Sequence, residues 1–272
     1  MYEFDYRRAR SLDEARQLLA GAEDGKLLAG GMTLLPSLKL RLAAPSLLID
    51  LAPLEDLRGI RREGENLRIG ALTRHAEVAD DSRVREAIPA LARLAGGIGD
   101  PQVRNRGTLG GSLANADPAA DYPAAVLGLD ATVLTDRREI AADDFFVDLF
   151  ETALEDDEII TAVRFPPPRR AAYVKCPNPA SRYAVVGVFV ADTARGVRVA
   201  VTGAGPCVFR VEAMEQALAE RFEPEAIADV VIDSTELNED IHASAEYRAH
   251  LVTVMARRAV AAAGARTHVE TP

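Results

Sequence analysis

Residues 101–121 read PQVRNRGTLGGSLANADPAAD, and the interpretation of the whole chain turns on them. The run Gly107-Thr108-Leu109-Gly110-Gly111-Ser112 sets paired glycines in a turn, where the backbone can adopt φ > 0 and approach a ligand that a Cβ would hold away. Successive main-chain N–H groups at such a turn make a concave anion site. Thr108, Ser112 and Asn115 add hydroxyl and amide groups suited to a diphosphate or a ribose. Asp117-Pro118 reads as a helix start, an N-cap followed by proline at the first helical position. On chemistry alone, a phosphate cradle and an ordinary tight turn stand about level.

A second loop of the same kind tips the balance. Ala29-Gly30-Gly31-Met32-Thr33 follows the apolar run Lys26-Leu27-Leu28 and precedes the helix-like Leu34–Leu40. A buried strand, a Gly-Gly turn and a Thr N-cap leading into a helix form a standard anion geometry. Neither loop is a Walker A, since no Gly-Lys-Ser/Thr follows, and neither has the G-x-G-x-x-G spacing of a Rossmann turn. Two such loops in one domain predict a ligand with an extended phosphate group gripped from both sides.

The remainder of the chain supplies the frame. At 272 residues there is room for two domains with cores of their own. A net charge of −10 argues against nucleic acid and against anionic membrane surfaces as partners. No apolar run approaches the ~20 residues that a membrane span needs, and charges interrupt the first residues, so no signal peptide is expected. Cys176 and Cys207 form no C-x-x-C pattern, which suggests reduced thiols and a cytoplasmic location. Two cysteines are too few for an iron–sulfur cluster, which takes about four.

Capping and periodicity predict a helix from Ser11 to Leu19, a buried strand at Leu47–Leu51, a strand pair Asp56–Arg61 and Asn66–Ile69, one helix over Arg83–Ala95 and another over Pro118–Gly128. The triple proline Pro166-Pro167-Pro168 marks a stiff link. Beyond it, three strands (Ala172–Cys176, Tyr183–Ala191, Gly196–Gly203) precede helices at Arg210–Arg221, Glu225–Val231 and Ala245–Ala263. That order predicts an α+β fold with helices on one face of the sheet. Gly203-Ala204-Gly205-Pro206 reads as a structural turn, because proline removes a donor. His75, His242, His250 and His268 share no ligand spacing and read as surface or capping residues. Glu155–Glu158 reads as a solvated acidic turn, and no serine has a triad arrangement around it.

AGGMTLLPSLKLRL (29–42) together with DPQVRNRGTLGGSLANADPAADYPAA (100–125) resembles the FAD-binding subunit of the molybdenum hydroxylases. That family includes the medium subunits of carbon monoxide dehydrogenases and the flavin subunits of bacterial xanthine dehydrogenases, and the resemblance runs over nearly the whole chain. It implies a two-subdomain FAD-binding domain of the PCMH type, vanillyl-alcohol-oxidase-like, over 1–165 (subdomains about 1–55 and 56–165). A C-terminal α+β domain with a three-stranded sheet would occupy 171–272. It implies that Ala29, Gly30, Gly31, Met32 and Thr33, with Thr108, Leu109, Gly110, Gly111 and Ser112, bind FAD, mainly at its pyrophosphate. Asp121 would lie near the cofactor's sugar, Ile98 beside the isoalloxazine ring, and Ile160 at a backbone contact near the flavin. Lys175 and, eight residues on, Tyr183 would face the flavin, the lysine polarising its pyrimidine oxygens and the tyrosine covering one ring face.

Met32 removes any histidine from the first loop, so FAD is expected to be held non-covalently. Cys176 and the Pro177–Pro179 segment depart from the carbon monoxide dehydrogenase pattern and lean towards the xanthine dehydrogenase branch. The resemblance implies an electron-transfer oxidoreductase subunit. It would work with an iron–sulfur small subunit and a molybdenum-cofactor large subunit, as a dimer of heterotrimers, with NAD or a quinone as acceptor. The other readings are a free-standing flavoprotein oxidase, against which the short length speaks, and a cofactor-less scaffold, against which the intact glycine loops speak.

Overall fold

In the computed structural model, which describes residues 1–265, a three-stranded sheet, a five-stranded sheet, a two-stranded hairpin and a four-stranded C-terminal sheet are joined by helices. The chain opens with β1 (Asp5–Arg8), α1 (Leu12–Ala20), β2 (Gly25–Leu28), α2 (Leu34–Lys39) and β3 (Leu47–Asp50). Ser11 caps α1 by accepting the Glu14 N–H at 3.1 Å, and the Glu14 carboxylate accepts the Arg10 N–H at 2.7 Å. The three strands form a parallel sheet in the order β1-β3-β2. The central strand is almost continuously apolar because both its faces are covered. Being parallel, all three strands point their carboxyl ends the same way, and residues 29–33 leave from the end of β2.

The second sheet is antiparallel, in the order β4-β5-β10-β6-β7. Its first hairpin is β4 (Ile60–Glu63) and β5 (Asn66–Gly70). The strand expected to begin at Asp56 starts later, because Glu55–Leu57 closes a 3-10 turn. Then come α3 (His75–Asp80), α4 (Ser82–Ala87), α5 (Pro89–Gly96), α6 (Pro101–Arg104), α7 (Leu109–Asn115) and α8 (Asp121–Gly128). The single helix expected over Arg83–Ala95 is two, since Pro89 has no N–H to continue α4 and instead opens α5. The sheet is completed by β6 (Thr132–Thr135), β7 (Glu139–Ala141) and, after the short α9 (Ala142–Phe145) and the hairpin β8 (Phe146–Asp148) and β9 (Glu151–Thr152), by β10 (Ile160–Phe165).

The remaining elements are β11 (Arg170–Pro177), β12 (Ala184–Thr193), β13 (Gly196–Thr202), β14 (Phe209–Arg210), α10 (Glu212–Glu220) and α11 (Ala245–Gly264). Three long antiparallel strands stand where three were expected, with the two-residue β14 added at the edge. The helix expected at Glu225–Val231 is only a 3-10 turn at Pro224–Ile227. Helices cover both sheet faces rather than one, and the alternation along β12 shows how. Val186, Val188 and Val190 pack into a core with α10 and α11, whereas Phe189 and Ala191 point the other way, into the core built by α5, α8 and the antiparallel sheet. Phe189 and Tyr122 are both fully buried there, a contribution of about 1.5–3 kcal/mol for a large apolar side chain.

That shared core fixes α8 against the C-terminal sheet, and polar clips hold the approach to it. The Thr202 hydroxyl lies within hydrogen-bond reach of the carbonyls of Pro118 (2.9 Å) and Ala120 (2.7 Å), its single hydrogen shared between them, and the Gly203 N–H donates to the Pro118 carbonyl at 2.7 Å. These bonds hold residues 118–120 against the end of β13, so the helix expected from Pro118 begins only at Asp121. Arg198 spans the same boundary, bonded to Asp130 at 2.7 Å, Asp143 at 2.8 Å and the Leu127 carbonyl at 3.1 Å.

Candidate functional site

The two glycine segments meet, and the first has no room for a side chain at the crossing. A Cβ on Gly30 would lie 2.2 Å from the Arg106 carbonyl oxygen and 2.9 Å from the Gly107 Cα. Gly31 has φ +75°, in the left-handed region that glycine tolerates. Among the described residues, the N–H groups of Ala29, Gly30, Gly31, Met32 and Thr33 meet no protein acceptor. Five consecutive unpaired donors at a glycine turn form an anion nest, because buried or half-buried N–H groups are nearly always paired elsewhere.

The second segment is different. Gly110 and Gly111 are not a turn but the first residues of α7, capped by Thr108, whose Oγ1 accepts the Gly111 N–H at 3.2 Å. Leu109 and Gly110 donate to the carbonyls of Thr73 (3.0 Å) and Ala71 (2.8 Å), and Ser112 donates to Thr108 at 3.0 Å. These N–H groups are therefore already occupied. The glycines serve close packing instead: a Cβ on Gly110 would lie 2.6 Å from the Ala71 Cβ. Thr108 faces Arg74 across an isolated antiparallel bridge, which locks α7 to the start of α3.

Both segments open onto one cleft of about 740 Å³, within the roughly 300–1,000 Å³ of cofactor sites. Of the residues singled out from sequence, it is lined by Ala29, Gly30, Gly31, Met32, Thr33, Ile98, Thr108, Gly110, Gly111, Ser112, Asp121, Ile160 and Tyr183. Tyr183 is 42% exposed at the cleft, so it is not a core aromatic. Two do not line it. Leu109 is fully buried beneath α7, and Lys175 is withdrawn behind the wall. The Lys175 ammonium donates to the Gly97 carbonyl (3.0 Å), the Arg182 carbonyl (2.9 Å) and the Asp121 carboxylate (3.1 Å), which uses all three of its hydrogens. Asp121 also accepts the Tyr173 hydroxyl at 2.6 Å. Burial raises the Asp121 carboxyl above its ordinary value, while Lys175 and Tyr173 pull it back. Tyr173 reaches this carboxylate because Gly187 has no Cβ, which would lie 2.3 Å from its hydroxyl.

His75 was not foreseen in the cleft. It is no surface residue but 5% exposed, in the cleft wall, with its ring 5.2 Å from that of Tyr122. Burial, helped by the nearby Arg104 charge, lowers its pKa from 6.5 to about 4, so it is neutral at pH 7. Its Nδ1 and the Tyr122 hydroxyl are buried without a partner among the described residues. The signal was the proximity of His75 to the glycine-rich segment, which is spatial and not sequential: a Cβ on Gly107 would lie 2.5 Å from Nε2. His242 and His250 are exposed, and His268 lies outside the described residues. Glu158 too departs from the solvated-turn reading. It is buried and bonded to Arg138 through both oxygens, at 2.9 and 2.8 Å. Those bonds, the largest cause, hold its pKa at about 2.

Fold and cleft together define an α+β protein whose cleft opens between a parallel three-stranded unit and an antiparallel one, with a row of unpaired N–H groups chemically suited to an anion. Comparison with known proteins makes the class specific. The family described as FAD binding domain in molybdopterin dehydrogenase matches residues 2–168, and CO dehydrogenase flavoprotein C-terminal domain matches residues 171–263. The carbon monoxide dehydrogenase medium chain of Hydrogenophaga pseudoflava is 37% identical over 280 residues, covering 97% of this chain and 98% of that one. The nicotine 6-hydroxylase medium subunit of Paenarthrobacter nicotinovorans is 38% identical, covering 96% and 98%. The xanthine dehydrogenase FAD-binding subunit of Escherichia coli O157:H7 is 31% identical, covering 98% and 99%, so the lean towards that branch is not supported. The solved structure of the Hydrogenophaga carbon monoxide dehydrogenase superposes with a TM-score of 0.91 at 38% identity, covering 96% of this chain and 97% of that one. The chain belongs to the FAD-binding medium subunits of the molybdenum hydroxylases, which are parts of multi-subunit molybdenum-containing dehydrogenases.

Proposed function

We propose that this chain holds FAD non-covalently in the cleft and relays electrons from iron–sulfur clusters on a small partner subunit to an acceptor such as NAD or a quinone. The observation that carries the reading is the row of unpaired N–H groups from Ala29 to Thr33, facing a crossing where a Cβ on Gly30 would fill the space. FAD, when bound, supplies a redox centre that exchanges electrons one or two at a time.

The protein's part is grip and surroundings. The Ala29–Thr33 nest would take the pyrophosphate, with Thr108 and the Ser112 hydroxyl beside it. Asp121 would accept from a sugar hydroxyl only with whatever capacity Tyr173 and Lys175 leave free. Ile98 and Ile160 would supply apolar walls for the ring system, and Tyr183 would cover its open side. Lys175 would act through Asp121 rather than on the ring, since its donors are spent.

Organic substrate oxidation would belong to a molybdenum-cofactor large subunit, with the complex a cytoplasmic dimer of heterotrimers. No described helix is long and apolar enough to cross a membrane. Reconstitution tests the reading. Dye reduction by an aldehyde or a purine should require all three subunits, and robust turnover by this chain alone would favour a free-standing oxidase.

A further inference from the structure

Two buried polar groups beside the cleft have nothing to bond. The Nδ1 of His75 and the hydroxyl of Tyr122 are sealed from solvent and lack a partner among the described residues. Their rings lie 5.2 Å apart, tilted by 54°, although one residue opens α3 and the other stands second in α8. The opposite edge of the imidazole lies against the glycine crossing. Its Nε2 and Cδ2 abut Gly107, where a Cβ would lie 2.5 and 2.8 Å from them, and the His75 backbone N–H donates to the Gly107 carbonyl at 3.0 Å. Gly107 in turn touches Gly30 of the nest, whose own Cβ would lie 2.9 Å from the Gly107 Cα. His75, Gly107 and Gly30 all line the cleft.

A neutral imidazole has one N–H and one bare nitrogen, and a buried polar atom left unpaired costs about 1–3 kcal/mol. Burial keeps the Tyr122 phenol protonated, and an O–H matches a bare nitrogen, directly or through one water. With Nδ1 so occupied, the imidazole proton belongs on Nε2, because the bond made at one ring nitrogen fixes the tautomer at the other. Arg104, the charge that bears on His75, opposes a second cation there and is itself bonded to the Ile98 and Gly99 carbonyls at 3.0 Å each. The imidazole has no hydrogen bond to a protein acceptor, and the nest beside it offers only further donors. An acceptor for Nε2–H therefore has to come with the ligand.

We propose that His75 is a further ligand-contacting residue: Tyr122 fixes its tautomer, and Nε2–H donates to the pyrophosphate of FAD alongside the backbone nest. The proposal rests on the FAD reading and adds to it a side-chain donor that carries no charge.

Fluorescence titration of the deflavinated full chain with FAD and with riboflavin, which lacks the phosphates, tests it. Gln sets an amide nitrogen where histidine has Nε2, and Asn sets one where it has Nδ1. His75→Asn should weaken FAD by about tenfold or more and leave riboflavin unchanged, whereas His75→Gln should recover most of the FAD affinity. Should either variant fail to fold, the wild-type chain with 15N-labelled histidine still decides. Its four imidazoles are few enough to assign, and His75 should carry its proton on Nε2, with that resonance moving when FAD binds and Tyr122→Phe mixing the tautomers. Three results overturn the proposal: equal losses of FAD and riboflavin in His75→Asn, equal FAD affinity in the Asn and Gln variants, or a His75 proton on Nδ1. In a chain that still binds FAD, each of these refutes this proposal alone. A wild-type chain that binds neither flavin would refute the FAD reading and this proposal with it.

Discussion

At the scale of single residues, His75 and Gly30 carry the sharpest consequences. His75 is neutral in the fold because burial holds its pKa near 4, whereas it titrates near 6.5 when unfolded. The unfolded chain therefore binds more protons between those values, and stability should fall as pH drops from about 6.5 to about 4. The full difference is on the order of 3 kcal/mol. Denaturant titrations across that window should show the loss, and His75→Gln should flatten it; an identical slope in the variant would contradict the assignment. Glu158 acts in a lower window. Its carboxyl is depressed from 4.5 to about 2, so its stabilisation is present above 4.5 and lost as pH falls towards 2. At the crossing, Gly30→Ala forces a Cβ against the Arg106 carbonyl, 2.2 Å away, and should abolish FAD retention. Gly111→Ala meets only the Thr108 Oγ1 at 2.8 Å and gains helix propensity, so the same fluorescence titration should register a smaller loss. Equal losses would mean that the second segment holds the phosphates as much as the first.

At the scale of elements, what was legible in the sequence is what depends on local pattern. The first glycine turn, the capped helix after Ser11 and the three strands beyond the triple proline are written in nearest-neighbour chemistry. What was not legible depends on partners distant in the chain. Thr108-Leu109-Gly110-Gly111 has the composition of a turn, yet it is a helix start because the carbonyls of Thr73 and Ala71 take its N–H groups. Residues 118–120 have the look of a helix start but are held by Thr202 and Gly203 from more than 80 positions away. Lys175 and Asp121 each suggested a cofactor contact, and only the fold shows them paired with one another, joining β11 to α8. This joint is testable. Lys175→Met should strand a buried carboxylate and cost about 3–5 kcal/mol, and Asp121→Asn in the same chain should recover much of it. If Lys175→Met instead leaves the melting temperature unchanged and shifts only the flavin potential, the lysine faces the ring after all.

At the scale of the whole molecule, the cleft exists because three units converge on it. The parallel sheet supplies the nest, the antiparallel unit supplies α7 and the wall at Ile160, and the C-terminal sheet supplies Tyr183. Phe189 and the Arg198 ion pairs keep the last of these in place. Arg198→Leu should therefore loosen the C-terminal sheet, and hydrogen exchange should rise across β12, β13 and α8 together; a rise confined to β13 would mean that the sheet is held elsewhere. The central claim, that this cleft holds FAD, is most directly tested by the visible absorbance of the purified chain, followed by acid precipitation and chromatography of the supernatant. The account predicts a yellow protein that releases one FAD per chain into the supernatant. A colourless protein that ignores added FAD would contradict it.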